Sequence, residues 1–251
     1  MNVEEYGRMF EAEERQWWYA GMRAISLSLL DAAWPRAGAG GRRILDAGCG
    51  TGSNLAHLRP FGRTVGVDVS EEALRFCRQR GVAAARGSVL ALPFSDATFD
   101  AVTSFDVLYH RWVEDDVAAV RELSRVLRPG GLLLVRVPAL KLLWGAHDEA
   151  VHSRHRYTRA ELRALLEGAG LEVVRLTYAN TLLFPLLAAR RGLDRLLDRH
   201  GSDVAFLPAP LEWTFRRLLG LEARLVRRVA LPLGASVFAL ARKPAAAESH
   251  G

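Results

Sequence analysis

Residues Ile44-Leu-Asp-Ala-Gly-Cys-Gly-Thr-Gly52 run from an apolar strand through one acid into three glycines at alternate positions. Gly48, Gly50 and Gly52 allow a tight turn and a close approach of backbone to ligand. The helix that follows presents its N-terminus to the same place. The usual dinucleotide fingerprint is spaced G-x-G-x-x-G; here the spacing is G-x-G-x-G, with Asp46 just before it. A pyrophosphate would meet that carboxylate, whereas a cationic ligand would not be opposed by it. A nicotinamide oxidoreductase is therefore disfavoured. Downstream, Val65-Gly-Val-Asp68-Val-Ser70 places a second acid at the end of a second strand. An acid there accepts hydrogen bonds from both hydroxyls of a ribose, each worth roughly 1.5–3 kcal/mol when charged. Taken alone, Asp68 also admits a helix-cap reading, the weaker of the two.

Working outward, the pattern alternates. The first 35 or so residues read as helices, with Trp17-Trp-Tyr19 between an acidic stretch and Ile25, Leu27, Leu29 and Leu30, and Ala37–Gly41 reads as a turn. Strands are expected at 43–47, 64–69, 82–86, 99–105, 132–137, 171–178 and 236–241. Ser70 caps a helix that closes near Gly81. Val113, Val117, Val120, Leu123 and Leu127 form one face of a helix over 113–127. Thr158 and Glu161 make a capping box, and Tyr157 is placed to pack on Leu162 as its hydrophobic staple. Arg128-Pro-Gly-Gly131 reads as a turn, and 147–155 as a loop over the site. Strands alternating with helices predict an α/β doubly wound sheet. The expected layout is a single domain over 1–251. An N-terminal helical lid occupies 1–36, a cofactor-binding core 42–180 and 236–243, and a helical insertion on the acceptor side 181–232.

Four ordered pieces resemble the class I S-adenosylmethionine-dependent methyltransferases. They are Leu45-Asp-Ala-Gly-Cys-Gly-Thr-Gly52, Gly66-Val-Asp68, Leu92-Pro-Phe94 with Phe99-Asp100, and Leu127-Arg-Pro-Gly-Gly131. The resemblance covers about 42–178. It implies a Rossmann-like seven-stranded sheet of order 3-2-1-4-5-7-6 with the last strand antiparallel. It implies S-adenosylmethionine as cofactor and S-adenosylhomocysteine as product. The Gly48, Cys49 and Gly50 loop behind Asp46 would then lie under the methionine moiety, with Cys49 a small residue and not a nucleophile. Asp68, with Val69 beside it, would hold the ribose. Ser88 and Val89 would cover the adenine, Ser88 standing where many members have an aspartate, and Phe105 would line the methionine end. Closer relatives share a Trp-Trp-aromatic segment and a His-Asp…His-x-x-Tyr-Thr stretch, which Trp17-Trp-Tyr19 and His147-Asp148…His155-Arg-Tyr-Thr158 resemble. Trp18 and Arg23 are then expected at the cofactor, the latter at its carboxylate, with core packing of the N-terminal helix as the competing reading.

A sulfonium methyl is already electrophilic, so the enzyme has mainly to align a nucleophile and exclude water. A base helps a hydroxyl acceptor and matters little for a carboxylate. Asp106-Val-Leu-Tyr-His110 follows the fourth strand at the ligand-binding edge. His110 is the first candidate for a base or orienting group, a structural bridge being the alternative; Tyr109 and His155 join it. Relatives often show Glu-His where this chain has Tyr109-His110, and the loss of that acid weakens a reading as one of the metal-using quinone-pathway enzymes. His147, Asp148, Glu149, His152 and His155 are dense, yet lack the two-His helical spacing of a zinc site, so no metal is expected. No Asn/Asp-Pro-Pro-aromatic motif is present, neither Cys49 nor Cys77 follows a proline, and no acidic pair follows the fourth strand. By the same resemblance these absences disfavour nucleic-acid amino, cytosine-C5 and protein-arginine methylation. O-methylation of a small molecule, natural product or modified peptide is left, with a lipid- or quinone-like acceptor at a membrane surface, or a catalytically silent cofactor-binding module, as alternatives.

The charge supports this division. The net charge is +6. Residues 1–180 are nearly balanced, with 23 basic and 22 acidic side chains, whereas 181–243 hold 11 basic and 5 acidic. The surplus thus belongs to the insertion, whose leucines and arginines suit a pocket wall, peripheral membrane contact or a dimer face better than nucleic acid. Two cysteines are too few for a disulfide framework, so a reducing, cytoplasmic setting is expected. The start lacks a signal-peptide pattern, and the longest uncharged apolar run, 176–189, falls short of the ~20 residues of a spanning helix.

Overall fold

The structure is a computed structural model that describes residues 3–34, 40–196 and 207–245. Part of the Ala37–Gly41 turn, the middle of the insertion and the C-terminal tail therefore lie outside the described residues. Helices α1 (Val3–Arg15) and α2 (Trp17–Ala33) precede strand β1 (Arg43–Ala47). Then come α3 (Ser53–Leu58), β2 (Arg63–Asp68), α4 (Glu71–Gln79), β3 (Ala84–Arg86) and β4 (Phe99–Phe105). They are followed by α5 (Asp116–Val126), β5 (Leu127–Pro138), α6 (Ala146–Ala150), α7 (Arg159–Gly168) and β6 (Glu172–Ala179). Helices α8 (Phe184–Leu196) and α9 (Ala209–Leu225) lead into β7 (Ser236–Arg242).

The seven strands form one sheet of order β3-β2-β1-β4-β5-β7-β6. The first five run parallel, and β7 is antiparallel to both β5 and β6. The central strands are short apolar runs because helices cover both faces: Ile44, Leu45, Val102, Leu133 and Val135 are fully buried. One core joins the sheet to α5 and α7 through residues such as Leu123, Leu162 and Leu166. The other joins it to α2 and α9 through Met22, Ile25, Leu29, Leu219 and Val226. The strand order reverses between β1 and β4, which opens the crevice at the C-terminal edge where ligands bind in such sheets.

Three local expectations change. Helix α5 starts at Asp116, because the Asp115 carboxylate accepts from the Ala118 N–H at 2.9 Å and sets the cap. Val113 is buried in the preceding turn, and Val117 is exposed. Strand β5 begins at Leu127, so Arg128–Gly131 is taken into the strand, with an irregular register against Phe99–Ala101. The 147–155 segment is not all loop: α6 occupies its start. The capping box of Thr158 and Glu161 is present with both hydrogen bonds.

The N-terminal helices and the insertion meet directly. Gly21 permits it: a Cβ there would sit 2.1 Å from Leu219 Cδ1. Gln16 offers α2 no side-chain cap. Instead, the Glu212 carboxylate on α9 accepts from the Trp17 N–H at 2.7 Å.

Candidate active site

A cavity of about 380 Å³ lies at the C-terminal edge of the sheet between α1, α2, the glycine turn, the segment after β4 and α8. That is within the range of small-molecule sites. The turn hangs on the next strand: Gly48 N–H and Cys49 N–H both donate to Val67 O, at 2.7 and 3.0 Å. Gly48 has φ 81°, and a Cβ there would meet Val107 Cγ2 at 2.2 Å, so only glycine fits. Asp68 locks the turn to the start of α4. Its Oδ2 accepts from Gly50 N–H and its Oδ1 from Ser70 N–H, both at 2.9 Å. Ser70, not Asp68, is the α4 cap. Burial pushes the Asp68 carboxyl up from its ordinary pKa, against those backbone donors.

Asp46 lies behind the turn and is almost wholly buried. Oδ1 accepts from Thr103 Oγ1 at 2.7 Å, and Oδ2 has no partner. Burial pushes its pKa up to about 7. A dry carboxylate oxygen without a partner is costly, and a ligand cation nearby relieves it. These features fit the ammonium and ribose of S-adenosylmethionine.

Most of the expected cofactor set converges on this cavity: Gly48, Cys49, Gly50, Asp68, Val69, Ser88, Val89, Phe105, Trp18 and Arg23 all line it. Asp46 does not reach the wall and lies buried behind the turn. Ser88 Oγ is already engaged as acceptor of the Leu90 N–H at 3.1 Å, so its hydroxyl is left to donate. Arg23 donates to Glu13 O at 3.2 Å and Ser53 Oγ at 3.3 Å, which ties α2 to α1 and to the start of α3. Cys49 and Cys77 are free and buried, with sulfurs 3.9 Å apart, and the hydrogen bond with Cys77, then burial, push the Cys49 thiol up.

His110 and Tyr109 also line the cavity, with rings stacked at 4.3 Å. The 2.9 Å contact of His110 Nδ1 with Val151 O requires the proton on Nδ1. That leaves Nε2 as an acceptor. Burial pulls the His110 pKa down to about 4, so the ring is neutral at physiological pH. Burial and the nearby Asp106 push the Tyr109 phenol up, so it stays protonated.

His155 is not brought to the site. It faces Glu161 at 3.4 Å and stands edge-on to Tyr157 at 4.6 Å, because the capping box turns that segment toward α7. Asp148 is consumed by a buried pair: Arg156 Nε donates to Oδ1 at 2.7 Å, and a second guanidinium nitrogen to Oδ2 at 3.1 Å. Among the described residues no three His, Cys, Asp or Glu side chains cluster as metal ligands; the side chain of His147 lies outside them. Tyr157 is buried, as a staple requires, and its hydroxyl donates to Asp116 at 2.8 Å.

Sequence reasoning missed several wall residues. Arg136, inside β5, is buried, pairs with Asp106 at 2.5–2.8 Å, and lies 5.2 Å from the Trp18 ring and 5.1 Å from Phe105. Asp106 itself has φ 58°. Asn180 also has positive φ (60°); it is buried, lines the cavity, and its Oδ1 is unpartnered. The Glu222 carboxylate on α9 holds that turn by accepting from Thr181 and Leu182 N–H at 2.9 and 3.2 Å. Ser153 Oγ is a further unpartnered atom among the lining residues. An arginine in an apolar strand, and an acid on the core face of α9, were the available signals.

The chain is similar to methyltransferases of known sequence and structure. Residues 45–135 match the family model described as a methyltransferase domain. A probable S-adenosylmethionine-dependent methyltransferase of Mycolicibacterium smegmatis is 38% identical over 169 residues, which is 65% of this chain and 62% of that protein. A malonyl-[acyl-carrier protein] O-methyltransferase of Erwinia pyrifoliae is 36% identical over 63% of each. The chain thus spans about three-fifths of the length of these relatives. Other curated relatives are named for a tRNA carboxymethyluridine and for demethylmenaquinone. In the solved complex of the Haloferax volcanii Trm112 methyltransferase activator with a methyltransferase, one chain shares the fold with a TM-score of 0.64 at 22% identity. The match covers 95% of this chain and 94% of that one. The chain has the class I methyltransferase fold, and residues 45–135 are similar to a methyltransferase domain. The Mycolicibacterium smegmatis relative is named for dependence on S-adenosylmethionine, the ligand whose ammonium and ribose this site fits.

Proposed function

We propose that this protein transfers the methyl group of S-adenosylmethionine to an oxygen of a small-molecule, natural-product or modified-peptide acceptor. The observation that carries this reading is the neutral His110, with Nε2 left as acceptor in a cavity it shares with the glycine turn and Asp68. The bound cofactor supplies an electrophilic methyl on a sulfonium, which leaves as a neutral thioether when the methyl–oxygen bond forms. A hydroxyl that is being alkylated becomes strongly acidic as that bond forms, so even a weakly basic imidazole takes its proton. The protonated Tyr109 phenol and the Asn180 amide are hydrogen-bonding groups for orienting the acceptor. Trp18, Arg23 and α1 close over the cofactor side, and α8 closes the acceptor side with Leu187, Arg190 and Arg191. The absence of acid at Tyr109 and the engaged Asp148 support chemistry without a metal. The test is a screen of hydroxyl, carboxylate and amine acceptors for S-adenosylhomocysteine release. Turnover confined to amines would reject oxygen transfer. A chain that binds the cofactor yet releases no product with any class would make it a silent binding module.

A further inference from the structure

The insertion exposes apolar surface that neither core uses. On and just before α8, Leu182, Leu186, Ala189 and Leu193 recur at i, i+4, i+7 and i+11, so they share one face. All four are exposed, Leu186 by 54% and Leu193 by 51%. Helix α9 buries Leu219, Glu222 and Ala223. Its opposite face carries Trp213, 61% exposed, with Arg217, Leu221, Arg224 and Leu225. The Arg217 guanidinium lies 5.0 Å from the Trp213 ring. Glu222 ties the start of α8 to α9, and Thr181 Oγ1 donates to Leu233 O at 2.5 Å, which places the exposed Leu182 and Leu233 in neighbouring backbone segments.

The charge on this surface is one-sided. Among the described side chains from 181 to 233, none that is exposed is a carboxylate. Glu212 is only partly exposed and is held by the Trp17 and Leu207 N–H groups, and Glu222 is buried. The exposed cations are Arg190, Arg216, Arg217, Arg224, Arg227 and Arg228; Arg227 lies 3.8 Å from Asp31, and Arg216 donates to Arg15 O. Single exposed leucines are ordinary, whereas a periodic stripe beside arginines is not. Leucines give a polyanionic nucleic acid nothing to bind. They suit the boundary between lipid headgroups and acyl chains, where Trp sits and Arg reaches back to phosphate. The stripe also borders the cavity, since Leu187, Arg190 and Arg191 of α8 line it.

We propose that the α8–α9 insertion docks on an anionic phospholipid surface, with its leucines and Trp213 in the headgroup–acyl boundary and its arginines on the phosphates. The cavity then opens beside the bilayer, where an amphiphilic acceptor would be delivered. The docking itself does not depend on the acceptor atom proposed above. The test is co-sedimentation of the full chain with vesicles of phosphatidylcholine alone and of phosphatidylcholine with phosphatidylglycerol, with cofactor titration on the same samples. Binding is expected to be at least about fivefold greater on the anionic vesicles and to weaken when salt rises from about 50 to about 500 mM. The pair Leu186→Glu and Leu193→Glu, and separately Arg217→Gln with Arg224→Gln, should each lower vesicle binding severalfold while cofactor affinity stays unchanged. Failure to pellet with anionic vesicles would overturn the proposal, as would pelleting indifferent to the leucine pair. So would a dimer in light scattering that the leucine pair dissociates, since a second copy would then cover the stripe. An oligonucleotide that competes without any dependence on the leucines would point to nucleic acid and also overturn it.

Discussion

The two halves of the crevice are built by different means. On the β1–β3 side the ligand-facing geometry is mostly backbone: three glycines with positive φ, N–H groups of Gly48, Cys49, Gly50 and Ser70 all engaged, and Asp68 as the junction. On the β4–β7 side it is mostly side chain: His110 on Val151, Asp106 on Arg136, Asp148 on Arg156, and the Asn180 turn on Glu222. A backbone cradle tolerates almost no change in residue type, because the constraint is conformational. A side-chain wall keeps its place while its chemistry varies, which suits the half proposed above to select an acceptor.

That contrast is open to attack by mutation. The largest effect is expected from Gly48→Ala. The added Cβ meets Val107 in a left-handed backbone, so calorimetric titration should show cofactor affinity falling by about 100-fold or more, with a lowered Tm. Asp68→Ala should weaken cofactor binding at least tenfold, in line with about 1.5–3 kcal/mol for a charged hydrogen bond; an unchanged affinity would remove the ribose role. On the other wall, His110→Gln should lower kcat by about 10- to 100-fold with a hydroxyl acceptor while cofactor affinity holds. Because the native pKa is near 4, the wild-type acid limb attributable to this ring should fall near that value, not near 6.5. Asn180→Ala should raise the acceptor KM severalfold with little change in kcat, the signature of lost ground-state binding. The smallest effect belongs to His155→Ala, which should leave turnover within about twofold, since the ring serves the α7 cap.

Asp46 gives a pH test that spans the comparison. Its native pKa of about 7 lies above the unfolded value of 3.8. The native state therefore binds the extra proton between those values, and the stability this provides is present below pH 4 and lost as pH rises to 7. Asp46→Asn keeps the Thr103 hydrogen-bond acceptor and removes the charge. Thermal melts of the cofactor-free protein should show the variant gaining Tm at pH 8 relative to wild type, by about 2–4 °C per kcal/mol, but not at pH 4. Cofactor titration should show it losing affinity. A variant that gains stability and keeps full affinity would show that the carboxylate does nothing for the ligand.

The same contrast explains what could be read in advance. Backbone constraints leave marks in local sequence: glycines at fixed spacing, an acid at a strand end, Ser70 before α4, the Thr158–Glu161 box. The alternation of strands and helices followed from those marks, whereas the sheet order and the expected cofactor residues came from the family resemblance that the marks carry. The β4–β7 wall depends mostly on partners 30 to 50 residues apart, such as Asp106 with Arg136 or Asn180 with Glu222, and no local pattern announces which arginine of many turns inward. Trp18 illustrates the middle ground, since its helix serves both as core and as cavity wall. His155 lies away from the cavity although its motif resembles a site loop, because Glu161, six residues on in the first turn of α7, already engages it.

The bond from Glu212 to the Trp17 N–H, together with the notch at Gly21 filled by Leu219, has a practical consequence. Anyone grafting this insertion onto another scaffold to change what is methylated would sever the cap of a helix nearly 200 residues earlier in the chain and leave a leucine without its socket. The opening helices and the late insertion are one exchangeable part, and chimeras should be cut so that both travel together.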